Sequence, residues 1–300
     1  TGGSDMDWAF PLSMNEFNSL YFNKLFLYSL TPKNQYFLIK KYLELHPETE
    51  KIYISVSLPS VFFQSELLIP EYTGNNFNMK ELQFLLFDKF TFKLSIDYLK
   101  TKILRKSGII KELPKKEFIS FPLEIEYFEN AGSDLSDKLP ETNFKYYDKM
   151  IDLFNEKNIE YEFFIPPYNA AFLALGEKNP YAKEALRETK KYITNKTGKL
   201  YDFGIINKYT SKSLFEEGNR YFINPSHSSK YMGIKMIKCI FKKNDSECEK
   251  DIFIMLTPEN INEKLEYESK LINDYIKQNP ELMKKYESTQ NEQHLKNSPY

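Results

Sequence analysis

Short apolar runs and longer amphipathic stretches alternate along much of this chain. Four runs rich in β-branched and aromatic residues predict buried strands, at about 51–57, 159–165, 199–203 and 251–256. Apolar residues at helical spacing predict helices between and after them, at about 32–46, 142–157, 181–194, 227–241 and 258–286. Pro32 and Pro258, each preceded by a threonine suited to an N-cap, predict the starts of two of these helices.

This rhythm of strand and helix predicts an α/β fold. Strands that alternate with helices favour a mostly parallel central sheet covered by helices on both faces, which is a three-layer sandwich. In such sheets, reactive groups gather in the loops beyond the carboxyl ends of the strands. We therefore expect any catalytic residues in those loops.

The segment from about 60 to 139 interrupts this alternation of predicted strands and helices. It contains an amphipathic stretch at about 79–104, followed by residues punctuated by Pro and Lys. No linker-like tract separates it from the rest, so we expect a helical insertion or lid within a single domain spanning 1–286. Residues 287–300 are polar and are expected to form a flexible tail.

Charge and hydropathy narrow the function classes. The net charge is −1, and Lys and Glu are mixed along the length, so the chain lacks the basic stripe expected of a nucleic-acid-binding protein. No run approaches the roughly 18 apolar residues of a membrane span, and no signal-peptide pattern is present. The chain opens directly on a serine motif that a buried strand would normally precede. We therefore expect a fragment whose anchor or export signal lies upstream.

The two cysteines, Cys239 and Cys248, lie near each other at a predicted helix end and the polar loop after it. At this spacing they are compatible with a disulfide in an oxidising compartment. Two unrelated thiols are an equally good interpretation from the sequence.

The candidate chemistry lies in two motifs far apart in the chain. Thr1-Gly2-Gly3-Ser4-Asp5 places a serine on a glycine-rich turn, and Asn224-Pro225-Ser226-His227 supplies a histidine. A serine hydroxyl needs an adjacent base to act as a nucleophile, and the chain has only three histidines. An ordinary turn serine, or a tag remnant at 1–4, is the alternative interpretation of the first motif.

Asn224 stands three residues before His227, within reach of the imidazole. A side-chain oxygen there would hold one ring nitrogen protonated and leave the other free to act as a base. Asn169, after two prolines, either lines the site or caps the segment that follows it. Tyr168 and Phe172 either form part of a sugar-facing platform or pack in the core.

The order of these motifs resembles that of the SGNH (GDSL-like) hydrolases, in particular their extracytoplasmic branch, which includes alginate O-acetylation and D-alanyl transfer proteins. Gly3-Ser4 corresponds to the first block of that family and Asn224-x-x-His227 to the last. The phrases that connect them in the same order are Leu30-Thr31-Pro32 with Gln35, Ile165-Pro166-Pro167-Tyr168, Tyr201-Asp202-Phe203 and Leu256-Thr257-Pro258-Glu259-Asn260.

The resemblance implies a serine esterase or O-acyltransferase. Ser4 would be the nucleophile and His227 the base, oriented by Asn224 where the family usually has Asp. In a serine protease the corresponding Asp→Asn change costs about 10⁴ in turnover through the wrong histidine tautomer, so Asp202 is an alternative acid. The family's glycine in the second block is replaced by Ser29, whose N–H would be one oxyanion donor.

The resemblance further implies that Tyr168 and Asn169 line the substrate or oxyanion site. The family's oxyanion Asn is missing, because Ser57-Leu58-Pro59 stands at its expected place. The substrate would be an acyl group of a bacterial cell-envelope glycan or another acyl donor, handled without a cofactor or metal. The protein would lie outside the cytoplasm, anchored by a segment upstream of this chain, and could meet membrane-associated assembly partners.

A non-catalytic relative that binds a glycan or an envelope-assembly partner is the second hypothesis. Asn224 and the missing oxyanion Asn favour it, because both weaken the catalytic machinery that the resemblance implies.

Overall fold

The computed structural model describes residues 31–58, 139–216, 219–240 and 248–286. Its strands are β1 (Lys51–Ser55), β2 (Glu160–Ile165), β3 (Leu200–Asp202) and β4 (Ile254–Leu256). Its α-helices are α1 (Pro32–Leu45), α2 (Leu139–Glu156), α3 (Ala170–Lys178), α4 (Pro180–Thr197), α5 (Lys230–Ile240) and α6 (Ile261–Gln278). The expected insertion at 60–139 falls almost entirely outside these residues, and the expected tail at 287–300 lies wholly outside them.

The four strands form one open sheet in the order β1-β2-β3-β4. β1, β2 and β3 are parallel, with Ile54 opposite Phe163 and Phe164 opposite Tyr201. β4 runs antiparallel at the edge, with Tyr201 opposite Met255. This arrangement confirms the predicted α/β fold with a mostly parallel sheet.

Hydrophobic clusters cover the two faces of the sheet. Phe163 belongs to a large cluster shared with α1, α2, α3, α4 and α6, whereas its neighbour Phe164 packs with Met236 and Ile237 of α5. Successive strand residues point to opposite faces, so α5 lies on one face and the other helices on the opposite one. Helices on both faces are compatible with the predicted sandwich.

Helix α1 begins where its sequence predicts. The Thr31 hydroxyl accepts a hydrogen bond from the Asn34 N–H at 3.3 Å, and Pro32 occupies the first turn. This cap satisfies one of the amide groups that the first turn of a helix leaves without an intrahelical partner.

Helix α3 was not predicted. Its first seven residues, 170–176, are all apolar and buried, so they show no polar face that would reveal a helical period. Asn169 caps it, and this confirms the capping interpretation of that residue.

Helix α2 begins three residues earlier than predicted, at Leu139, and two other helices begin later than predicted. α5 begins at Lys230 instead of His227, because the residues before it pair in a short bridge. α6 begins at Ile261, because Thr257 closes a turn in which its carbonyl accepts the Asn260 N–H at 3.1 Å. α6 also ends early, at Gln278, and helical structure resumes at 280–286.

Cys239, at the end of α5, and Cys248 form a disulfide. Of the two interpretations that the sequence left open, a disulfide or two unrelated thiols, the structure has the disulfide. Among the residues described, no helix combines the length and apolar character needed to cross a membrane.

Candidate functional site

His227 lies at the end of a tight turn rather than on a helix. The Ser229 N–H donates to the Tyr221 carbonyl at 2.8 Å, and the Ile223 N–H donates to the His227 carbonyl at 2.9 Å. Within this frame the His227 N–H approaches the Asn224 carbonyl at 3.3 Å. The backbone of the turn, residues 224–227, is therefore held on both sides.

The turn is fastened to the loop that follows β2. The Asn169 N–H donates to the Pro225 carbonyl at 2.9 Å. Asn169 comes four residues after the end of β2, so the turn is tied to the carboxyl end of a central parallel strand. This is the edge at which we expected reactive groups to gather.

The Asn224 side chain orients the imidazole. Its Oδ1 accepts the backbone N–H of His227 at 2.8 Å and that of Ser226 at 3.2 Å, which identifies this atom as the amide oxygen. The same oxygen lies 2.8 Å from His227 Nδ1. Since an amide oxygen only accepts hydrogen bonds, Nδ1 carries the proton, and Nε2 of the neutral ring keeps its lone pair.

His227 is largely withdrawn from water, and burial lowers its pKa to about 4. Asn224 brings no charge that would favour the imidazolium. The ring is therefore neutral at physiological pH, with Nε2 available to accept a proton but with less basicity than an exposed histidine.

Ser226 was not predicted as part of this arrangement. Its hydroxyl lies 2.8 Å from His227 Nδ1, and the residue is buried. Because Nδ1 is protonated by virtue of its contact with Asn224, it cannot remove the proton of Ser226. Ser226 thus acts as a support for the ring and not as a nucleophile, a role that carries no motif in the sequence.

The structure leaves two predicted site residues undescribed. Ser4 and Ser29 both lie outside the described residues. The pairing of Ser4 with His227, and the oxyanion role of the Ser29 N–H, remain predictions.

Asp202, the predicted alternative acid, contacts Lys190 and Gly204. Its Oδ2 lies 2.5 Å from Lys190 Nζ, and its Oδ1 accepts the Gly204 N–H at 2.8 Å. The position beside His227 Nδ1 that a supporting acid would occupy is taken by Asn224 and Ser226.

Tyr168 and Asn169, which were predicted to line the site, are buried in the core. Tyr168 is fully buried, stacks on Phe172 and accepts the Leu58 N–H through its hydroxyl at 2.9 Å. The Asn169 amide donates to the carbonyls of Thr210 at 3.1 Å and Lys212 at 2.9 Å. Both amide protons of Asn169 are thus committed, and none is left for an oxyanion.

In the described part of the chain, no group of three or more His, Cys, Asp or Glu side chains could hold a metal ion. No protein-family model, curated protein or solved structure matches the chain. The candidate site therefore stands on its own geometry.

Proposed function

We propose that this protein is a serine esterase or O-acyltransferase of the SGNH type that acts on acyl groups of a bacterial cell-envelope glycan. The observation that carries the proposal is the orientation of His227. Its Nδ1 faces the Asn224 oxygen at 2.8 Å, so Nε2 is the unprotonated nitrogen that would serve as the base. A parallel sheet covered on both faces, with this turn beyond the end of β2, suits such an enzyme.

In the proposed reaction, Ser4 Oγ attacks the acyl carbonyl while its proton passes to His227 Nε2. The tetrahedral intermediate collapses, the leaving alkoxide takes the proton from His227, and an acyl-serine remains. Water or a glycan hydroxyl then attacks the acyl-serine, with His227 again accepting and returning the proton. The Ser29 N–H is proposed to donate to the oxyanion.

Asn224 limits the rate of this reaction. An amide oxygen holds the ring in the productive tautomer, but it cannot stabilise the imidazolium that forms in the transition state. The low pKa of His227, about 4, has the same effect because it makes proton uptake by Nε2 less favourable. We therefore expect slow turnover with a correctly oriented base.

The same two facts support a second candidate, a non-catalytic protein that retains the site and binds a glycan or an envelope-assembly partner. A neutral amide and a weakly basic histidine suit a binding surface as well as a slow enzyme.

An extracytoplasmic location is part of the proposal. The disulfide between Cys239 and Cys248 supports it, because disulfides persist in oxidising compartments and are rare in the cytosol.

Labelling with a fluorophosphonate probe distinguishes the two candidates. We expect covalent labelling of the folded protein at Ser4, and its loss in the Ser4→Ala and His227→Ala variants. His46→Ala is the matched control, because His46 is an exposed histidine at the end of α1 that contacts Glu48. Absence of labelling in a folded protein, or labelling that survives His227→Ala, would reject the enzyme and leave the binding protein.

A further inference from the structure

Three ionisable side chains meet inside the protein, apart from the His227 turn. Lys190 of α4 lies with its Nζ 2.5 Å from Asp202 Oδ2, at the end of β3, and 2.5 Å from Glu268 Oε2, on α6. All three residues are at most 7% exposed. We call them the Lys190 cluster.

The Lys190 cluster contains two carboxyl groups and one ammonium group. With all three ionised it would carry a charge of −1 in a nearly dry environment, where an uncompensated charge is costly. A charge-balancing partner is therefore needed.

The other charged groups around the cluster do not supply that balance. They line the cleft between α3, α4 and α6, together with Lys190 and Glu268. Glu177 of α3 pairs with Lys183 of α4 at 2.6 Å. Arg187 of α4 pairs with the exposed Glu266 of α6. Each of these cations is already matched by its own carboxylate.

The hydrogen bonds indicate which carboxyl group would take up a proton. Asp202 pairs with Lys190 through Oδ2, and its Oδ1 accepts the Gly204 N–H. Glu268 Oε1 is buried and has no hydrogen-bond donor among the described residues. Burial raises the pKa of Glu268 to about 8, and the neighbouring Asp202 carboxylate adds to this increase.

Lys190 remains charged throughout. Burial by itself would lower the pKa of its ammonium group, but the contacts with Asp202 and Glu268 raise it above its usual value. The proton-binding group is therefore Glu268 and not Lys190.

We propose that the Lys190 cluster binds one proton through Glu268, beside Asp202, and that this proton holds α6 against α4 and β3. When α6 moves away, Glu268 reaches water, regains an ordinary acidity and releases the proton. Opening of α6 is thus favoured by rising pH between the ordinary pKa of Glu268, 4.5, and its value of about 8 in the closed protein. Above that range both states are deprotonated and the effect levels off.

Hydrogen–deuterium exchange of the full chain tests the proposal. Protection of the amides in 261–278 is measured from pH 5 to pH 9, corrected for the intrinsic pH dependence of exchange, with 143–156 of α2 as the internal reference. We expect protection of α6 relative to α2 to fall by several-fold per pH unit up to pH 8, at most about tenfold, and to level off above it.

Two variants at the cluster should remove this dependence. Glu268→Gln has no proton to release, and Asp202→Asn leaves one carboxylate to balance Lys190, so neither needs a bound proton. Glu263→Gln is the matched control, because Glu263 is an exposed residue of the same helix, and it should keep the unmodified profile. An unmodified protein whose α6 protection does not change with pH would overturn the proposal, as would a pH dependence that persists in whichever of the two variants folds.

A monovalent cation is the other partner that could balance the charge. Replacing sodium chloride by choline chloride at equal ionic strength distinguishes the two, because choline is too large for the cluster. The proton predicts identical profiles in both salts. If α6 lost protection in choline chloride but not in sodium chloride, the charge of the Lys190 cluster would be balanced by sodium and not by a proton.

Discussion

Asn224 and His227 show how one atom defines the chemistry of a neighbouring ring. The Asn224 oxygen receives two backbone N–H groups, so its identity is established before the imidazole is considered. The tautomer of His227 then follows from a 2.8 Å contact. The sequence predicted this pair from its spacing, because three residues in a tight turn bring the two side chains together.

The Asn224→Asp substitution should strengthen the base. A carboxylate at 2.8 Å from Nδ1 would favour the imidazolium and raise the pKa of His227 well above its present value of about 4. We expect fluorophosphonate labelling at pH 8 to accelerate by at least about tenfold, because a more basic Nε2 accepts the serine proton more readily. The labelling rate should also become pH-dependent, falling as the pH drops below the raised pKa.

The control for this experiment is Asn224→Ala, which removes the oxygen that holds Nδ1 and should label more slowly than the unmodified protein. If Asn224→Asp labels no faster although its His227 titrates near neutral pH by NMR, the weak base is not what limits the reaction.

At the scale of elements, α3 is the helix that the sequence patterns did not predict. Strands bounded by prolines and helices with a polar face were found from their patterns, but residues 170–176 of α3 show no polar face because they are all buried. The sequence motif identified Asn169 and its capping role, but it did not reveal the two further hydrogen bonds of its amide. Its neighbours in sequence indicate a cap, whereas its two acceptors, more than forty positions away, are visible only in the fold.

Two capping asparagines of consecutive helices allow a direct comparison. Asn169 caps α3 and its amide also donates to the carbonyls of Thr210 and Lys212, whereas Asn179 caps α4 by accepting the Ala182 N–H. We expect Asn179→Ala to cost about 1 kcal/mol in the free energy of unfolding. Asn169→Ala should cost about 2–4 kcal/mol, because it also removes two further hydrogen bonds, at about 1 kcal/mol each.

Urea unfolding of the two variants measures this difference. The backbone N–H that donates to Pro225 is kept in Asn169→Ala, but the loop that carries it loses its side-chain anchors to Thr210 and Lys212. The substitution should therefore also loosen the His227 turn and slow probe labelling, which Asn179→Ala should leave unchanged. Equal losses of stability in the two variants would show that the buried amide of Asn169 adds nothing beyond its cap.

At the scale of the whole molecule, the α/β class, the mostly parallel sheet and the position of the His227 turn at its carboxyl end were all predictable from local patterns. The Lys190 cluster was not, because Lys190 and Glu268 stand 78 positions apart on helices whose patterns place charged residues on solvated faces. Helix packing buries both. Such clusters form where whole helices and strands pack against one another, so no local sequence motif predicts them.

The molecule holds two buried groups whose protonation affects its stability in opposite directions. Folding lowers the pKa of His227 from 6.5 to about 4, so the stability that its neutral form contributes is present above pH 6.5 and is lost as the pH falls towards 4. Folding raises the pKa of Glu268 from 4.5 to about 8, so its contribution is complete below pH 4.5 and is lost as the pH rises towards 8. Each effect amounts to at most about 1.4 kcal/mol per pH unit.

Between pH 4.5 and 6.5, His227 makes the free energy of unfolding rise with pH and Glu268 makes it fall. Substituting one of the two groups should therefore reveal the effect of the other. Relative to the unmodified protein, His227→Gln should lose stability more steeply as the pH rises through this range, and Glu268→Gln should gain stability as it rises. Above pH 6.5 only the Glu268 effect remains, so Glu268→Gln should remove the loss of stability between pH 6.5 and 8. Urea unfolding at half-unit pH steps measures all three curves. Parallel curves for the unmodified protein and His227→Gln would mean that His227 titrates alike in the folded and unfolded chain, which its burial does not allow.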